Sequence, residues 1–186
     1  MGAKAIQMIV INLFGSPGVG KSTFAAFLFQ HMKKKDYSVE YVSEFAKDMV
    51  YEHSSKAFAC QPYIFGQQLF RLTRLQDEVD FAICDSPILL SNIYNPEPSY
   101  AKSFLEFSID VHNNLKNINF LLSPPEVDKY DESGRLHSAQ ESLKIHDRIK
   151  DMLVNSNIPF LQIRHRFISS NDLVDIIENE QSKLRP

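Results

Sequence analysis

The sequence predicts a parallel α/β sheet with right-handed crossovers. Three observations carry that reading: short apolar runs rich in Ile, Val and Phe with no polar alternation, helical stretches between successive runs, and a glycine-rich turn closing the first run. That first run, Ile6–Phe14, ends abruptly at Gly15-Ser16-Pro17-Gly18 and reads as a strand buried on both faces. From Lys21 to about Lys35 the pattern is helical, with Phe24, Phe27, Leu28 and Met32 on one stripe and lysines in the last turn, where they complement the helix dipole. Val39–Ser43 reads as a second strand, followed by a helix from Glu44 to about Tyr51. The stretch 54–62 is polar and reads as loop. A helix resumes over Gln67–Asp77, with Leu69, Leu72 and Leu75 on its apolar stripe.

Val79–Cys84 is the third strand, and Pro87 suits the first turn of the segment that runs to Tyr94. After the break at Asn95-Pro96-Glu97-Pro98, Ser99 is placed to cap a helix reaching about Leu115. Asn117–Leu122 and Ile158–Ile163 are the fourth and fifth strands. Between them Ser138-Ala139-Gln140-Glu141 is a capping box that opens an amphipathic helix. A short helix over Ser170–Glu180 ends the pattern.

The chain has 186 residues, which suits one domain over 1–186. Its 44% hydrophobic and 23% charged content excludes wholesale disorder. A net charge of −3 offers no global positive field for nucleic acid. Cys60 and Cys84 make neither a metal spacing nor a disulfide framework, and Ile6–Phe14 is too short to span a bilayer. A cytoplasmic location with no membrane partner is the expectation.

Gly15-Ser16-Pro17-Gly18-Val19-Gly20-Lys21-Ser22 fits G-x-x-x-x-G-K-[ST], the phosphate-binding Walker A loop. Its glycines let main-chain amides turn inward onto phosphate oxygens, and the helix that opens at Lys21, Ser22 and Thr23 adds its positive end. In this pattern Lys21 reaches the β- and γ-phosphates of ATP, and the Ser22 hydroxyl helps hold Mg²⁺. The strand before the loop and the helix after it are the context that the motif requires.

Other candidates gather around the same sheet edge. Asp85 ends the third strand, where a carboxylate holds Mg²⁺ or accepts a proton; the plainer alternative is a helix cap before Pro87. Glu44 ends the second strand and suits a base for an attacking hydroxyl, or a hydrogen bond to an acceptor sugar. Asp48, one turn on, reads as solvated. Arg71 and Arg74 share a helix flank, either for an acceptor's base or phosphate or as plain surface charge. Tyr130-Asp131-Glu132-Ser133-Gly134-Arg135, within 124–137, reads as a lid that brings Arg135 to the transferring phosphoryl group, with Arg148 a weaker candidate of the same kind. Cys84 reads as a core residue.

In this order the motifs resemble a family. The Walker A loop, the strand-end Glu of YVSEFAKD, the strand-end Asp of ICDSP, and Y-D-x-x-G-R before a helix with His146-Asp147-Arg148 are similar to the small P-loop kinases of the ribosylnicotinamide kinase type. They are equally similar to the related AAA-like ATP-binding proteins of bacteriophages. The resemblance spans about Ile6 to Ile163. It implies a three-layer α/β/α fold with strand order 2-3-1-4-5, a Mg-ATP donor, and an acceptor held between the second and third strand ends. It also implies Lys21 and Ser22 on phosphate and Mg²⁺, Glu44 or Asp85 on the acceptor hydroxyl, and Arg135 in the lid. The chain departs from the family after Asp85, where Ser-Pro-Ile-Leu-Leu carries no acceptor signature. With no tryptophan, an acceptor ring would stack on Phe45, Tyr63, Phe65 or Tyr94.

The sequence therefore points to an ATP phosphotransferase acting on a hydroxyl of a nucleoside- or nucleotide-like acceptor. Two alternatives share the loop. One is a kinase for a hydroxymethylated base in phage DNA, with Lys33–Lys35 and Arg164-His165-Arg166 as local basic clusters. The other is a nucleotide-hydrolysing switch.

Overall fold

In the computed structural model the described residues are 8–124, 138–164 and 170–184. Five parallel strands form one sheet: β1 (Ile9–Phe14), β2 (Val39–Val42), β3 (Phe81–Cys84), β4 (Lys116–Leu122) and β5 (Leu161–Ile163), in the order β2-β3-β1-β4-β5. β1, β2, β3 and β5 lie within the apolar runs that predict them, and β4 starts one residue ahead of its run. β1 sits at the centre because all six of its residues are buried, as a strand covered on both faces must be. Its register sets Asn12 opposite Cys84 on one side and Asn119 on the other. Consequently the ends of β1, β2 and β3 come out at the same edge.

Two helices cover one face and four of the others cover the opposite one. α1 (Lys21–Lys34) and α8 (Ser170–Leu184) bury Phe24, Leu28, Met32, Leu173, Val174 and Ile177 against Ile11, Leu13, Ile83 and Phe120. On the other face α4 (Gln61–Thr73) packs Leu72 against Val10, Val42 and Ala82. Beside it α5 (Leu90–Tyr94) and α7 (Ala139–Asn155) close over Phe14 and Leu121 with Leu89, Ile145, Ile149 and Leu153. Burying such side chains contributes about 1.5–3 kcal/mol each, so the three layers are held mainly by these two cores. Cys84 lies fully buried in this second core, as its apolar strand predicts.

Several boundaries differ from the sequence reading. The expected loop at 54–62 contains a helical turn, α3 (Ser55–Phe58), and the start of α4, six residues ahead of the predicted Gln67. Pro62 in the first turn of α4 is the reason: proline there lacks only an amide that has no helical partner anyway. Ser99 is not the cap of α6 (Ala101–Asn113); Tyr100 holds that position without a side-chain cap, and the Ser99 amide instead donates to Glu97 Oε1 at 2.9 Å. β5 starts at Leu161, three residues after the predicted Ile158, which packs into the core. The remaining helix between β2 and α3 is α2 (Phe45–Tyr51), one residue shorter at its start than expected because Glu44 is its cap. The capping box of α7 is formed as read: Glu141 N donates to Ser138 Oγ at 3.3 Å, and Ser138 N donates to Glu141 Oε2 at 2.8 Å.

A buried polar ladder crosses the sheet under α6. Asn12 Nδ2 donates to Asn117 Oδ1 at 2.9 Å and Asn119 Oδ1 at 3.0 Å, and Asn117 Nδ2 donates to the His112 carbonyl at 2.6 Å. His112 itself is 2% exposed, meets the Phe14 ring edge-on, and burial lowers its imidazole pKa from 6.5 to about 4. The sign follows: between those values the unfolded chain takes up a proton at His112 that the folded chain refuses. Stability is therefore full above pH 6.5 and falls as pH drops toward 4, by about 3 kcal/mol at ~1.4 kcal/mol per pH unit. His112→Leu is expected to flatten that part of the pH dependence in denaturant titrations at pH 7 and pH 5. An unchanged slope would assign the dependence to other groups.

Candidate active site

The loop 15–20 joins β1 to α1, and its shape follows from its glycines. Gly18 and Gly20 hold φ values of 80° and 96°, a region that L side chains rarely enter. Gly15 is required for a different reason. A Cβ built there would lie 2.8 Å from Val19 Cγ1 and 3.5 Å from Leu122 Cβ, and β-branched Val19 has little rotamer freedom to retreat. Gly15→Ala is expected to cost about 1–3 kcal/mol of stability through overpacking, with Val19→Ala restoring most of it in the double variant. Additive losses in a double-mutant cycle would show that the two positions do not press on each other.

The amides of Lys21, Ser22 and Thr23 open α1, and the first turn of a helix has no carbonyl acceptors of its own for such groups. Lys21 Nζ folds back on the loop, donating to the Gly15 carbonyl at 2.8 Å and to the Ser16 carbonyl at 3.1 Å. Burial lowers the ammonium pKa, while the charges of Glu44 and Asp85 work against that shift. So the structure brings together the loop lysine and both strand-end carboxylates that the sequence singles out.

Glu44 caps α2 in extended conformation without a side-chain cap bond, which leaves its carboxylate available. Burial raises its pKa; Lys21 opposes the shift and Asp85 adds to it. Asp85, 2% exposed at the end of β3, accepts a hydrogen bond on Oδ2 from the Tyr41 hydroxyl at 2.6 Å. Its Oδ1 is buried without a hydrogen-bond partner among the described residues.

Three contributors escape the sequence reading. Gln68, 3% exposed on α4, brackets Glu44: Phe45 N donates to Gln68 Oε1 at 2.8 Å, and Gln68 Nε2 donates to the Ser43 carbonyl at 3.3 Å. A glutamine four residues after Ile64 and four before Leu72 lies on the buried stripe, and that placement is the signal for it. Ser142 on α7 donates from Oγ to the Pro17 carbonyl at 2.9 Å and lies 2.9 Å from Ser16 Oγ, tying α7 to the loop. Tyr94, at the end of α5, has its phenol raised to about 12, first by burial and then by the charge of Glu44, with Arg148 opposing. Arg148 holds the same helix end, donating to the Ile93 carbonyl at 2.5 Å. Tyr94 and Arg148 are among the sequence candidates, so the third new contributor is Tyr41.

Arg71 and Arg74 lie at the free edge of β2, where they line a pocket of about 400 Å³ with Tyr41, Val42, Ser43, Gln67 and Phe70. Arg71 pairs with the Asp48 carboxylate, donates to Ser43 Oγ at 3.2 Å and stands 5.2 Å over the Phe45 ring. Asp48 is thus an ion-pair partner as well as a solvent-exposed acid, because α4 carries Arg71 alongside α2. Of the rings considered for stacking, Phe65 is buried against Phe104, 5.5 Å between centroids, and Phe45 packs on Tyr63. The segment 125–137 with Arg135, and His165-Arg166, lie outside the described residues. Among the described residues, no helix is long and apolar enough to cross a membrane.

The family model of the AAA domain matches residues 10–168, from the central strand through β5. The chain belongs to the AAA domain family. Among curated proteins none matches it in sequence. Among solved structures, the deoxyadenosine kinase from M. mycoides, with products dCMP and a flexible dCDP bound, is similar over 94% of this chain and 99% of its own, with a TM-score of 0.57 and 15% identity. The YorR protein from Bacillus subtilis, in complex with phosphorylated GDP, is similar over 93% of this chain and 98% of its own, with a TM-score of 0.56 and 18% identity. The NadR protein, in complex with NAD and AMP-PNP, gives a TM-score of 0.64 at 11% identity over 94% of this chain, which spans only 50% of NadR. At these identities the likeness is one of fold: a P-loop kinase-like parallel sheet in the order 2-3-1-4-5.

Proposed function

We propose that this chain is a P-loop kinase that transfers the γ-phosphoryl group of ATP to a hydroxyl of a nucleoside- or nucleotide-like acceptor. The observation that carries the reading is the convergence of Lys21, Glu44 and Asp85 on one sheet edge beside the phosphate loop, with the Glu44 carboxyl pushed upward by burial. The fold likeness to a deoxyadenosine kinase and to nucleotide-bound proteins supports it.

The loop amides of residues 15–23, Pro17 excepted, and the Lys21 ammonium would bind the triphosphate, because both present positive potential to it. Glu44 would accept the acceptor's hydroxyl proton; a carboxyl with a raised pKa holds a proton more readily than an ordinary glutamate. Its cap position and the Gln68 bracket fix the backbone on either side. Tyr94 stands near enough to Glu44 and Arg148 to feel both charges, and would flank an acceptor held there. Arg71 and Arg74 would serve an acceptor that extends toward the free edge of β2.

Ser22 and Asp85 fit a divalent cation. The unpartnered, buried Oδ1 of Asp85 is costly as it stands, and a carboxylate with a hydroxyl is an oxygen donor set suited to Mg²⁺. When bound, Mg²⁺ neutralises charge on the β- and γ-phosphates.

The test is incubation with ATP, Mg²⁺ and a panel of nucleosides, nucleotides, ribosylnicotinamide and hydroxymethylated DNA, with products read by mass spectrometry. One small-molecule acceptor gaining a phosphate is the expected result. Phosphorylated DNA alone, or inorganic phosphate with no phosphorylated product, would reject the proposal.

A further inference from the structure

Between the phosphate loop and the end of β3 stands a side chain that neither motif contains. Tyr41 lies on β2 opposite Ile83, two residues before Asp85, so its ring runs diagonally along the sheet toward the strand end. Its hydroxyl donates to Asp85 Oδ2 at 2.6 Å, and the Ser22 side chain lies near enough to act on the phenol. The phenol therefore holds one of the two groups assigned above to the cation and stands beside the other.

We infer that Tyr41 is a positioning residue for the divalent cation of the nucleotide site, holding Asp85 by one oxygen so that the other stays free as an acceptor. This rests on the phosphotransferase reading of the same site. The geometry supports a division of labour within the carboxylate: Oδ2 is committed to the phenol, and Oδ1 is buried without a partner among the described residues. A carboxylate tethered at one oxygen cannot rotate freely, so the second oxygen is fixed in direction before any ion arrives.

Tyr41 packs against the core under α1 and also lines the pocket at the free edge of β2, so Tyr41→Phe retains that packing and removes only the hydroxyl. The experiment titrates a nonhydrolysable ATP analogue into the full chain by calorimetry, with and without Mg²⁺, for the wild type, Tyr41→Phe and Asp85→Asn. Thermal unfolding checks that each variant is folded. Removing an orienting partner of a metal ligand lowers metal affinity roughly 10–100-fold. Tyr41→Phe is accordingly expected to lose most of the Mg²⁺-dependent gain in analogue affinity while its metal-free affinity matches the wild type. A merely structural role would weaken both equally. If Tyr41→Phe keeps the full Mg²⁺ dependence and Asp85→Asn loses it, the inference on Tyr41 fails and the phosphotransferase reading stands. If Asp85→Asn also keeps it, the cation is held elsewhere and the inference fails. If the wild type binds no analogue in either condition, the inference and the reading fail together.

Discussion

Lys21→Ala is expected to lower kcat/KM for phosphoryl transfer roughly a thousandfold or more, a loss of about 4 kcal/mol of transition-state stabilisation. The reason is local. Lys21 is the cation of the loop itself, and its ammonium already sits on the Gly15 and Ser16 carbonyls, a short movement from any phosphate held by the surrounding amides. Negative charge spreads over the phosphoryl oxygens in the transition state, and alanine offers nothing to meet it. Stability should not fall in proportion. Burial works against the charged form of Lys21, so removing the ammonium also removes a desolvation cost. Steady-state kinetics alongside denaturant unfolding separates these effects. Activity within tenfold of the wild type would remove Lys21 from the chemistry.

Glu44→Gln is expected to reduce kcat by about 10²–10⁴-fold while ATP-analogue affinity is retained, since a glutamine keeps the shape of the site but cannot take the proton. The pH profile gives the sharper signature. A base must be deprotonated to act, so activity should fall as pH drops through the Glu44 pKa. Burial and the charge of Asp85 set that acid limb above the ordinary glutamate range, and Lys21 moderates it. In Glu44→Gln the residual activity should lose the limb. A variant that retains both rate and limb would pass the role of base to another group.

The apolar strands and the phosphate loop were the most legible parts of this chain, because both are local. A run such as Ile9–Phe14 has one favourable environment, between two layers of helix, and a G-x-x-x-x-G-K-S turn has one favourable backbone path. The carboxylates Glu44 and Asp85 were legible through position alone: a charged residue at the end of an apolar strand lands at the sheet edge. What the sequence hid depends on contacts between distant segments. Asp48 looks like any first-turn acid until α4 brings Arg71 against it. Tyr41 reads as an ordinary strand aromatic, and only the β2–β3 register sends its hydroxyl to Asp85. Gln68 and Ser142 look like surface polar residues on amphipathic helices; burial turns one into a bracket for Glu44 and the other into a tie on the loop. The early start of α4 was missed for a local reason, since Cys60-Gln61-Pro62 reads as a breaker unless the proline falls in the first turn.

The fate of the γ-phosphoryl group distinguishes a kinase from a nucleotide switch. Time-resolved ³¹P NMR of the full chain with ATP, Mg²⁺ and the acceptor identified from the panel follows that group directly. The account predicts a growing phosphate-ester resonance matched one for one with ADP, little inorganic phosphate, and no turnover when the acceptor is left out. Steady release of inorganic phosphate at a rate indifferent to the acceptor would contradict it.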